Sequence, residues 1–449
     1  VKKHKVAPLF GFGEKTEENI IQGLDFLKRN KGRSLLKDAL PFATEILEKI
    51  KNLKEVEKIS LAGSLRRKKE TIGDVDFLVV SKKPKKVMDF FCNLPGVEKI
   101  WGKGGTKASV HMVGGFDMDL RVVPKKSYGS ALQYFTGSQD HNIVTRKIAI
   151  EKGLKLSEWG VFRGSKQIAG KTEEDVYKVL GLNFIPPEIR ENTGEIEASL
   201  RMKLPDLIEL KDIKGDLHCH SNWNGGKDSI EVMAKKAMEM GYEYIGISDH
   251  TKFLRIENGL NEKQLLKQNK EIKKLNEKFK KNKLKFGILH GCEANILNDG
   301  SIDIKDQVLA QLDYVIAGIH SSLKMKSEEM TNRIIKAMKN KHIDILAHPT
   351  GRILGEREEY AIDFDKILHT AKTTGTILEI NSSSRLDLRD LYIRRTKNEG
   401  VKMIINTDSH KKEQMNLMEY GVSQARRGWA LKKDIINTLS VGELLKYFK

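Results

Sequence analysis

The sequence predicts two fused domains, an α+β domain with helical flanks followed by an α/β domain. Two observations support this fold class. The chain has 449 residues, which exceeds the usual span of one hydrophobic core. The spacing of apolar residues also changes along the chain, from helical and strand-like runs before residue 200 to a regular strand–helix alternation after residue 213. We therefore expect a domain boundary near 196–213.

Helical spacing dominates the beginning of the chain. Ile20, Leu24 and Leu27 recur every three or four positions, which is typical of a helix with one apolar face. We interpret residues 1–52 as a helical remnant that leads into the first sheet. The chain opens on a loop-like stretch, Gly11–Thr16, so we expect a preceding segment to be missing.

Residues 53–150 change to short apolar runs joined by basic turns, which predicts a sheet domain with helices. The predicted strands include Ile59–Ala62, Val75–Val80 and Phe116–Val123. Residues 151–200 are interpreted as a small subdomain and a polar linker that contains Pro186 and Pro187.

In residues 213–449, seven apolar runs alternate with helical segments, which is the pattern of βα units around a parallel sheet. The runs are Ile213–His220, Tyr244–Asp249, Phe286–Glu293, Tyr314–His320, Ile343–His348, Thr376–Asn381 and Met403–Asp408.

Composition favours a polyanionic partner. The chain has 80 Lys and Arg against 61 Asp and Glu, a formal net charge of +19. Such a charge favours nucleic acid or nucleotides, although single basic runs are more often solvated surface. Three unpaired cysteines and the lack of a long apolar run predict a cytoplasmic protein without a membrane span.

Metal-binding side chains recur where the predicted strands of the second domain end. Since the carboxyl ends of parallel strands meet at one face, these side chains are expected to form one cluster. Imidazole and carboxylate groups suit divalent metals, and their number exceeds one tetrahedral site. Two or three clustered ions would activate water and stabilise a phosphoryl transition state, which predicts hydrolysis of a phosphate ester. The candidate ligands are His218, His220, His250, Glu293, His320, His348, Asp408 and His410.

The motifs around these residues resemble those of the polymerase-and-histidinol-phosphatase (PHP) superfamily over about residues 213–415. They are Asp216–His220, Ile247–His250, Gly291–Glu293, Gly318–His320, Ala347–Pro349 and Asn406–His410. The resemblance implies a distorted (β/α)7 barrel with two or three Mn²⁺ or Zn²⁺ ions held by the eight candidate ligands.

One position departs from the PHP pattern. Members fused to polymerases usually carry an aspartate shortly after the first motif, whereas this chain has Gly225 between Asn224 and Gly226. We expect one ion to be weakly held, or to be held by a rearranged site that uses Asp228.

A second set of carboxylates lies in the first domain. Asp74 and Asp76 project from the same face of a predicted strand, so they can share two divalent ions. Asp119 on a neighbouring strand is the candidate third carboxylate, although Asp117 lies on the same face. All three would be catalytic through their ions.

A glycine-rich turn precedes these aspartates. The backbone at Gly63 and Ser64 can approach a triphosphate closely, and Arg67 can neutralise it. The stretch from Gly63 to Asp76 is similar to the nucleotidyltransferase palm of family X DNA polymerases. The resemblance covers about residues 10–200 and implies two Mg²⁺ ions and attack of the primer 3′-oxygen on the α-phosphate of a dNTP.

A later segment is similar to the family's contact with the nucleotide sugar and base. An aromatic pair followed by a tight turn carries this similarity, and packing at a helix end is the alternative explanation. The implied substrate contacts are Gly63, Ser64, Arg67, Gly73, Tyr134, Phe135, Gly137 and Asn142. Residues 151–200 would close on the nascent base pair.

The two resemblances together imply a monomeric repair polymerase that fills gaps in primer–template DNA and trims 3′ ends or abasic sites. Two alternatives remain for the second domain, a phosphatase for a small metabolite and a catalytically impaired scaffold, which Gly225 makes conceivable. The family's helix-hairpin-helix and lyase-like region is expected to be absent, which would weaken DNA affinity.

Overall fold

The computed structural model describes residues 33–448. The expected loop at Gly11–Thr16 and the first predicted helical residues lie outside this range. The chain divides into two compact units, Val1–Pro205 and Asp206–Lys449, and each has its own sheets. Among the described residues, no helix combines the length and the apolar character needed to cross a bilayer.

A five-stranded mixed sheet forms the centre of the first unit. In spatial order its strands are Val56–Leu61, Asp74–Ser81, Phe116–Val123, Lys107–Met112 and Val97–Lys103. The second and third of these run parallel, and the other neighbouring pairs run antiparallel. Val75, Phe77 and Val79 are buried on one face, so Asp74 and Asp76 share the opposite face.

Helices flank this sheet, as the sequence predicts. They are Leu36–Lys51, Gly63–Arg66, Pro84–Cys92, Tyr128–Thr136, Gln139–Glu151, Glu173–Leu180 and Glu195–Leu200, with 3₁₀ turns at Lys125–Ser127 and Pro187–Ile189. The smaller sheets pair Ser34–Leu35 with Thr71–Ile72, and Gly160–Arg163 with both Lys155–Ser157 and Lys166–Ala169. The expected turn at Gly63 is therefore a single helical turn, which starts from a left-handed residue (φ 59°).

Parallel strands and helices alternate through the second unit, as predicted. One sheet contains Gly215–Cys219, Tyr244–Ile247 and Gly287–His290, and the other contains Glu293–Asn295, Ile316–Gly318, Ile345–Leu346, Ile377–Asn381 and Met403–Asn406. The predicted run Phe286–Glu293 divides between the two sheets. Backbone bridges pair His250 with Glu293, and Cys219 with Ser409, at the edges of the sheets.

The helices of the second unit pack on both faces of its strands, most of them on one face and Val441–Leu444 on the other. They are Ile230–Glu239, Glu262–Lys281, Asp306–Leu309, Ser327–Met338, Phe364–Thr374, Asp390–Asn398, Met418–Arg427 and Val441–Leu444, with 3₁₀ turns at Leu210–Asp212, Arg255–Glu257, Lys412–Leu417, Lys432–Asp434, Ile436–Thr438 and Leu445–Tyr447. Leu378 and Ile380 join the core beneath the helices, whereas Ile377 joins a smaller core with Tyr244 and Tyr314 on the other face. This alternation buries both faces of the strands and leaves their ends for polar groups.

Candidate functional site

The eight candidate ligands of the second unit lie together, seven of them at or just after the carboxyl ends of strands and Glu293 at the start of Glu293–Asn295. Three sets of three residues can each bring one ligand atom per residue within 4.8 Å of the others. The sets are His220, His250 and His410; His218, His220 and Asp408; and His250, Glu293 and His320. His348 belongs to none of these sets, although it contacts one of their members.

Glu293 is the centre of this cluster. Its Oε2 lies 2.7 Å from Nδ1 of His250 and 3.2 Å from Nε2 of His218. Its Oε1 lies 3.0 Å from Nε2 of His320 and 2.9 Å from Nε2 of His348. Burial alone would raise the pKa of Glu293, but the surrounding imidazoles hold this pKa well below its usual value. With Nε2 of His220 at 3.6 Å from Oε2, five rings surround this buried anionic carboxylate, which is suited to bridge cations.

Several buried atoms of the cluster make no hydrogen bond with the described residues. They are Nε2 of His218, both ring nitrogens of His220, Nδ1 of His250, Nδ1 of His348 and Oε2 of Glu293. Buried polar atoms are rarely left in this state. Burial, together with the rings of His250 and His410, lowers the pKa of His220 well below its usual value, so this ring is neutral and able to bind a metal. The donor set therefore fits divalent cations.

Two buried residues that were not predicted orient the ligand rings. Glu379 accepts a hydrogen bond from Nδ1 of His218 at 2.7 Å and from the backbone N–H of His348 at 2.8 Å. Asn295 accepts one from Nδ1 of His320 at 2.8 Å. Each contact leaves Nε2 of the ring free to face Glu293, which is the usual role of a residue behind a metal ligand.

Replacing Glu379 by Gln is expected to weaken Mn²⁺ binding by about 10- to 100-fold, because His218 loses the carboxylate that fixes its orientation. Titration of chelator-treated protein with Mn²⁺ measures this change. Glu399→Gln is the control, since Glu399 pairs with Lys372 at 3.1 Å on the surface. Wild-type affinity in Glu379→Gln would show that Glu379 does not position a ligand.

The loop after the first strand contains the departure at Gly225. Asp228, the expected substitute ligand, is in none of the three sets, and its Oδ2 accepts a hydrogen bond from the backbone N–H of Lys412 at 2.8 Å. The space beside Gly225 is occupied by Glu257. A Cβ atom on Gly225 would overlap Oε2 of Glu257 and lie 3.0 Å from its Cδ.

The first unit places its aspartates on the two central strands. Asp76 is in register with Asp119, and Asp74 is in register with Asp117. Burial, and then the charges of Asp74 and Asp119, raise the pKa of Asp76 to about 7. Asp119 also binds Nζ of Lys107 at 2.8 Å. Within the described residues these carboxylates do not form a tight metal set, since like charges repel without a cation between them.

The neighbouring Asp117 has different partners. Its Oδ1 accepts hydrogen bonds from Nε1 of Trp101 at 2.9 Å and from Nδ1 of His111 at 2.7 Å. These bonds, that of His111 first, lower the pKa of Asp117. The geometry therefore favours Asp119 as the partner of Asp76.

The Gly63 turn lies directly against these carboxylates. A Cβ atom on Gly63 would overlap Oδ2 of Asp76 and lie 3.1 Å from its Cγ. Only glycine allows so close an approach at a positive φ. The backbone of Ser64 follows in the same short helix, and Gly73 immediately precedes Asp74.

Arg67 lies between the Gly63 turn and the segment around Gly137. Its Nε is 3.1 Å from Oε1 of Glu191, and its Nη1 donates to the carbonyl of Thr136. A Cβ atom on Gly137 would lie 3.0 Å from the same Nη1. Arg67 is thus close to both predicted substrate turns, but its charge is already balanced by Glu191.

The predicted base and sugar contacts are held by internal bonds. The rings of Tyr134 and Phe135 pack edge to face with centroids 5.1 Å apart. Asn142 donates from Nδ2 to the carbonyl of Tyr134 and accepts from Nε2 of Gln133, both at 2.7 Å. Asn142 therefore fixes the backbone that carries the aromatic pair, and its amide is not free for a nucleotide in this state.

Comparisons with known proteins agree with this division of the chain. The family model described as DNA polymerase beta thumb matches residues 131–191, and the PHP domain model matches residues 216–383. Probable phosphatases of Thermoanaerobacter sp. (strain X514) and Clostridium acetobutylicum are each 31% identical, over 173 and 206 residues. These matches cover 36% and 43% of this chain and 68% and 78% of the phosphatases.

A longer relative accounts for both units. DNA polymerase/3′-5′ exonuclease PolX of Bacillus subtilis (strain 168) is 40% identical over 453 residues, a match that covers 100% of this chain and 78% of that protein. Since the match includes both units and both family models fall inside it, the chain belongs to the family X DNA polymerases that carry a PHP domain.

Proposed function

We propose that this protein is a gap-filling DNA polymerase of the repair type whose PHP domain removes nucleotides from 3′ ends. The observation that carries the proposal is the presence of two separate carboxylate sites, one per unit, around Asp76 and around Glu293. The full-length relative is named a DNA polymerase and 3′-5′ exonuclease, which supports the same pairing of activities.

In the first unit, Asp74, Asp76 and Asp119 would hold two Mg²⁺ ions. Bound in this way, such ions clamp the attacking and departing oxygens of an in-line displacement. The protein contributes the open backbone at Gly63, which leaves room for a triphosphate beside the carboxylates. In the metal-free protein, Lys107 neutralises the charge of Asp119 through an ion pair. This ion pair must break when cations bind to Asp119.

In the second unit, the eight cluster residues would hold two or three Mn²⁺ or Zn²⁺ ions. Such ions supply a water of low pKa and stabilise charge on a phosphodiester. Arg385, which was not predicted, lies beside the cluster with Nε 3.6 Å from Oδ2 of Asp408 and Nη1 buried without a hydrogen-bond partner. Its guanidinium is placed to hold the phosphate under attack.

The partners that follow are gapped primer–template DNA and dNTPs, and the net charge of +19 suits them. We place the enzyme in the cytoplasm as a monomer.

The activities are tested on one gapped DNA with a labelled primer. With dNTPs and Mg²⁺ or Mn²⁺ the primer is expected to lengthen, and without dNTPs it is expected to shorten from its 3′ end. EDTA should stop both reactions, and excess Mn²⁺ should restore them, because both proposed reactions depend on bound divalent cations. A primer that never shortens, with metal bound, would support the scaffold alternative.

The metabolite-phosphatase alternative has one observation in its favour, the similarity of the second unit to probable phosphatases. It predicts release of phosphate from small phosphomonoesters with no shortening of the DNA primer. The same wild-type preparation tests both outcomes.

A further inference from the structure

The carboxylate of Glu257 occupies the space that a side chain on residue 225 would need. A Cβ atom on Gly225 would overlap Oε2 of Glu257 and lie 3.0 Å from its Cδ and 3.6 Å from its Cβ. Gly225 is not among the residues with a positive φ, so its backbone would accept another residue. The obstacle to a side chain at 225 is therefore Glu257 itself.

The loop that carries Gly225 is attached to one of the candidate metal sets. Nδ2 of Asn224 donates to the carbonyl of His250 at 3.1 Å, and the backbone N–H of Lys227 donates to the carbonyl of His410 at 2.7 Å. His220 comes immediately before this loop in the sequence. The residues on both sides of Gly225 thus bind the backbone of two ligands of the set His220, His250 and His410.

The segment that carries Glu257 is hydrogen-bonded to the backbone of His250 as well. Glu257 ends the 3₁₀ turn Arg255–Glu257, and the backbone N–H of Leu260 donates to the carbonyl of His250 at 2.8 Å. The half-buried side chain of Glu257 makes no hydrogen bond and no ion pair with any residue the structure describes. With no partner among the described residues, this carboxylate is available to a cation.

The adjacent metal set lacks a carboxylate of its own. The ring of His220 stacks on His250 at 4.3 Å and on His410 at 4.2 Å between centroids. A cation held by these three rings would have no anionic ligand within the set. Oδ1 of Asn224 is also buried in this region, with 8% of the residue exposed, and has no hydrogen-bond partner. Neither oxygen donor belongs to the set as the rings now stand, but each lies on a segment that is hydrogen-bonded to the backbone of His250.

We propose that Glu257 supplies the carboxylate ligand to a divalent cation held by His220, His250 and His410. This inference rests on the proposed function of the PHP domain as a metal-dependent phosphoesterase. Gly225 and Glu257 then form a compensating pair, in which a carboxylate from another loop replaces the aspartate that the PHP pattern has after its first motif. The domain keeps a full set of ligands despite the glycine.

The first test is the metal content of full-length Glu257→Gln. After removal of metal and equilibration with a fixed free concentration of Mn²⁺, mass spectrometry of the metal counts the ions per chain. We expect Glu257→Gln to hold one ion fewer than wild type and its weakest site to bind about 10-fold more weakly or worse. Glu262→Gln is the matched control, because Glu262 lies nearby and pairs with Lys252 at 2.6 Å.

The second test moves the carboxylate back to residue 225. Gly225→Asp alone should not raise the metal content, since the new Cβ meets Glu257, whereas Gly225→Asp combined with Glu257→Ala should bind more Mn²⁺ than Glu257→Ala alone. Unchanged metal content in Glu257→Gln, or a loss seen only in Asp228→Asn, would overturn the inference. Wild-type protein that binds no metal in the second unit would instead refute the proposed function.

Discussion

Replacing Asp76 by Asn is expected to slow primer extension by at least about 1000-fold and to leave 3′-end degradation unchanged. The charges of Asp74 and Asp119 both act on Asp76, and the Gly63 turn contacts its carboxylate. We therefore expect the two cations to share the carboxylate of Asp76. A 1000-fold loss corresponds to about 4 kcal/mol of transition-state stabilisation. Single-turnover extension of a gapped primer in Mg²⁺ measures the effect, and degradation is measured on the same DNA without dNTPs.

Asp117→Asn is the matched control for this variant. Asp117 lies on the same face of the neighbouring strand, but it is held by Trp101 and His111. It should extend primers at nearly the wild-type rate. Asp76→Asn should melt no lower than wild type, because the change removes one of three like charges. An equal loss of extension in both variants would contradict the assignment of the carboxylates.

Glu293→Gln is expected to have the opposite effect, a fall of at least about 1000-fold in 3′-end degradation with primer extension retained. Glu293 is buried and lies within 4.0 Å of five histidines, so an amide in its place removes the anion that we propose the clustered cations share. The number of Mn²⁺ ions bound per chain should fall in parallel. Degradation of a labelled single-stranded or gapped DNA in Mn²⁺ measures the loss.

Glu243→Gln controls for the loss of a glutamate in the same unit. Glu243 precedes the strand Tyr244–Ile247 and pairs with Lys214 at 3.1 Å. It therefore lies at the opposite end of the strand from the candidate ligands. Normal degradation by Glu293→Gln would show that the cluster is not the phosphoesterase site. Simultaneous loss of extension would show that the two activities are not divided between the units.

The clustering of candidate ligands near strand ends could be predicted from the sequence, because parallel strands place their last residues at one face whatever the helices between them do. His218 and His320 are of this kind. Glu379 could not be found in this way, because it lies two residues inside the end of its strand, and its role depends on a contact with His218 across 161 positions of sequence. Glu257 follows no strand at all and is brought to Gly225 by the path of a loop.

Sequence motifs also do not tell whether a polar side chain faces a substrate or its own protein. Asn142 satisfies both ends of its amide with Tyr134 and Gln133, although its motif suggests a nucleotide contact. Arg67 pairs with Glu191, a residue 124 positions away that no local pattern connects to it. Such pairings are set by tertiary packing, so only the structure could assign them.

Gly63 combines a left-handed backbone with direct contact to the Asp76 carboxylate. Elsewhere a glycine can often be exchanged for alanine with a gain in stability, because the unfolded chain loses freedom. Here the first added carbon would strain the backbone and displace the Asp76 carboxylate, which we propose holds Mg²⁺. Most surface turns tolerate gradual substitution, but this position does not. In the first unit, both the fold and the proposed catalysis therefore require glycine at residue 63.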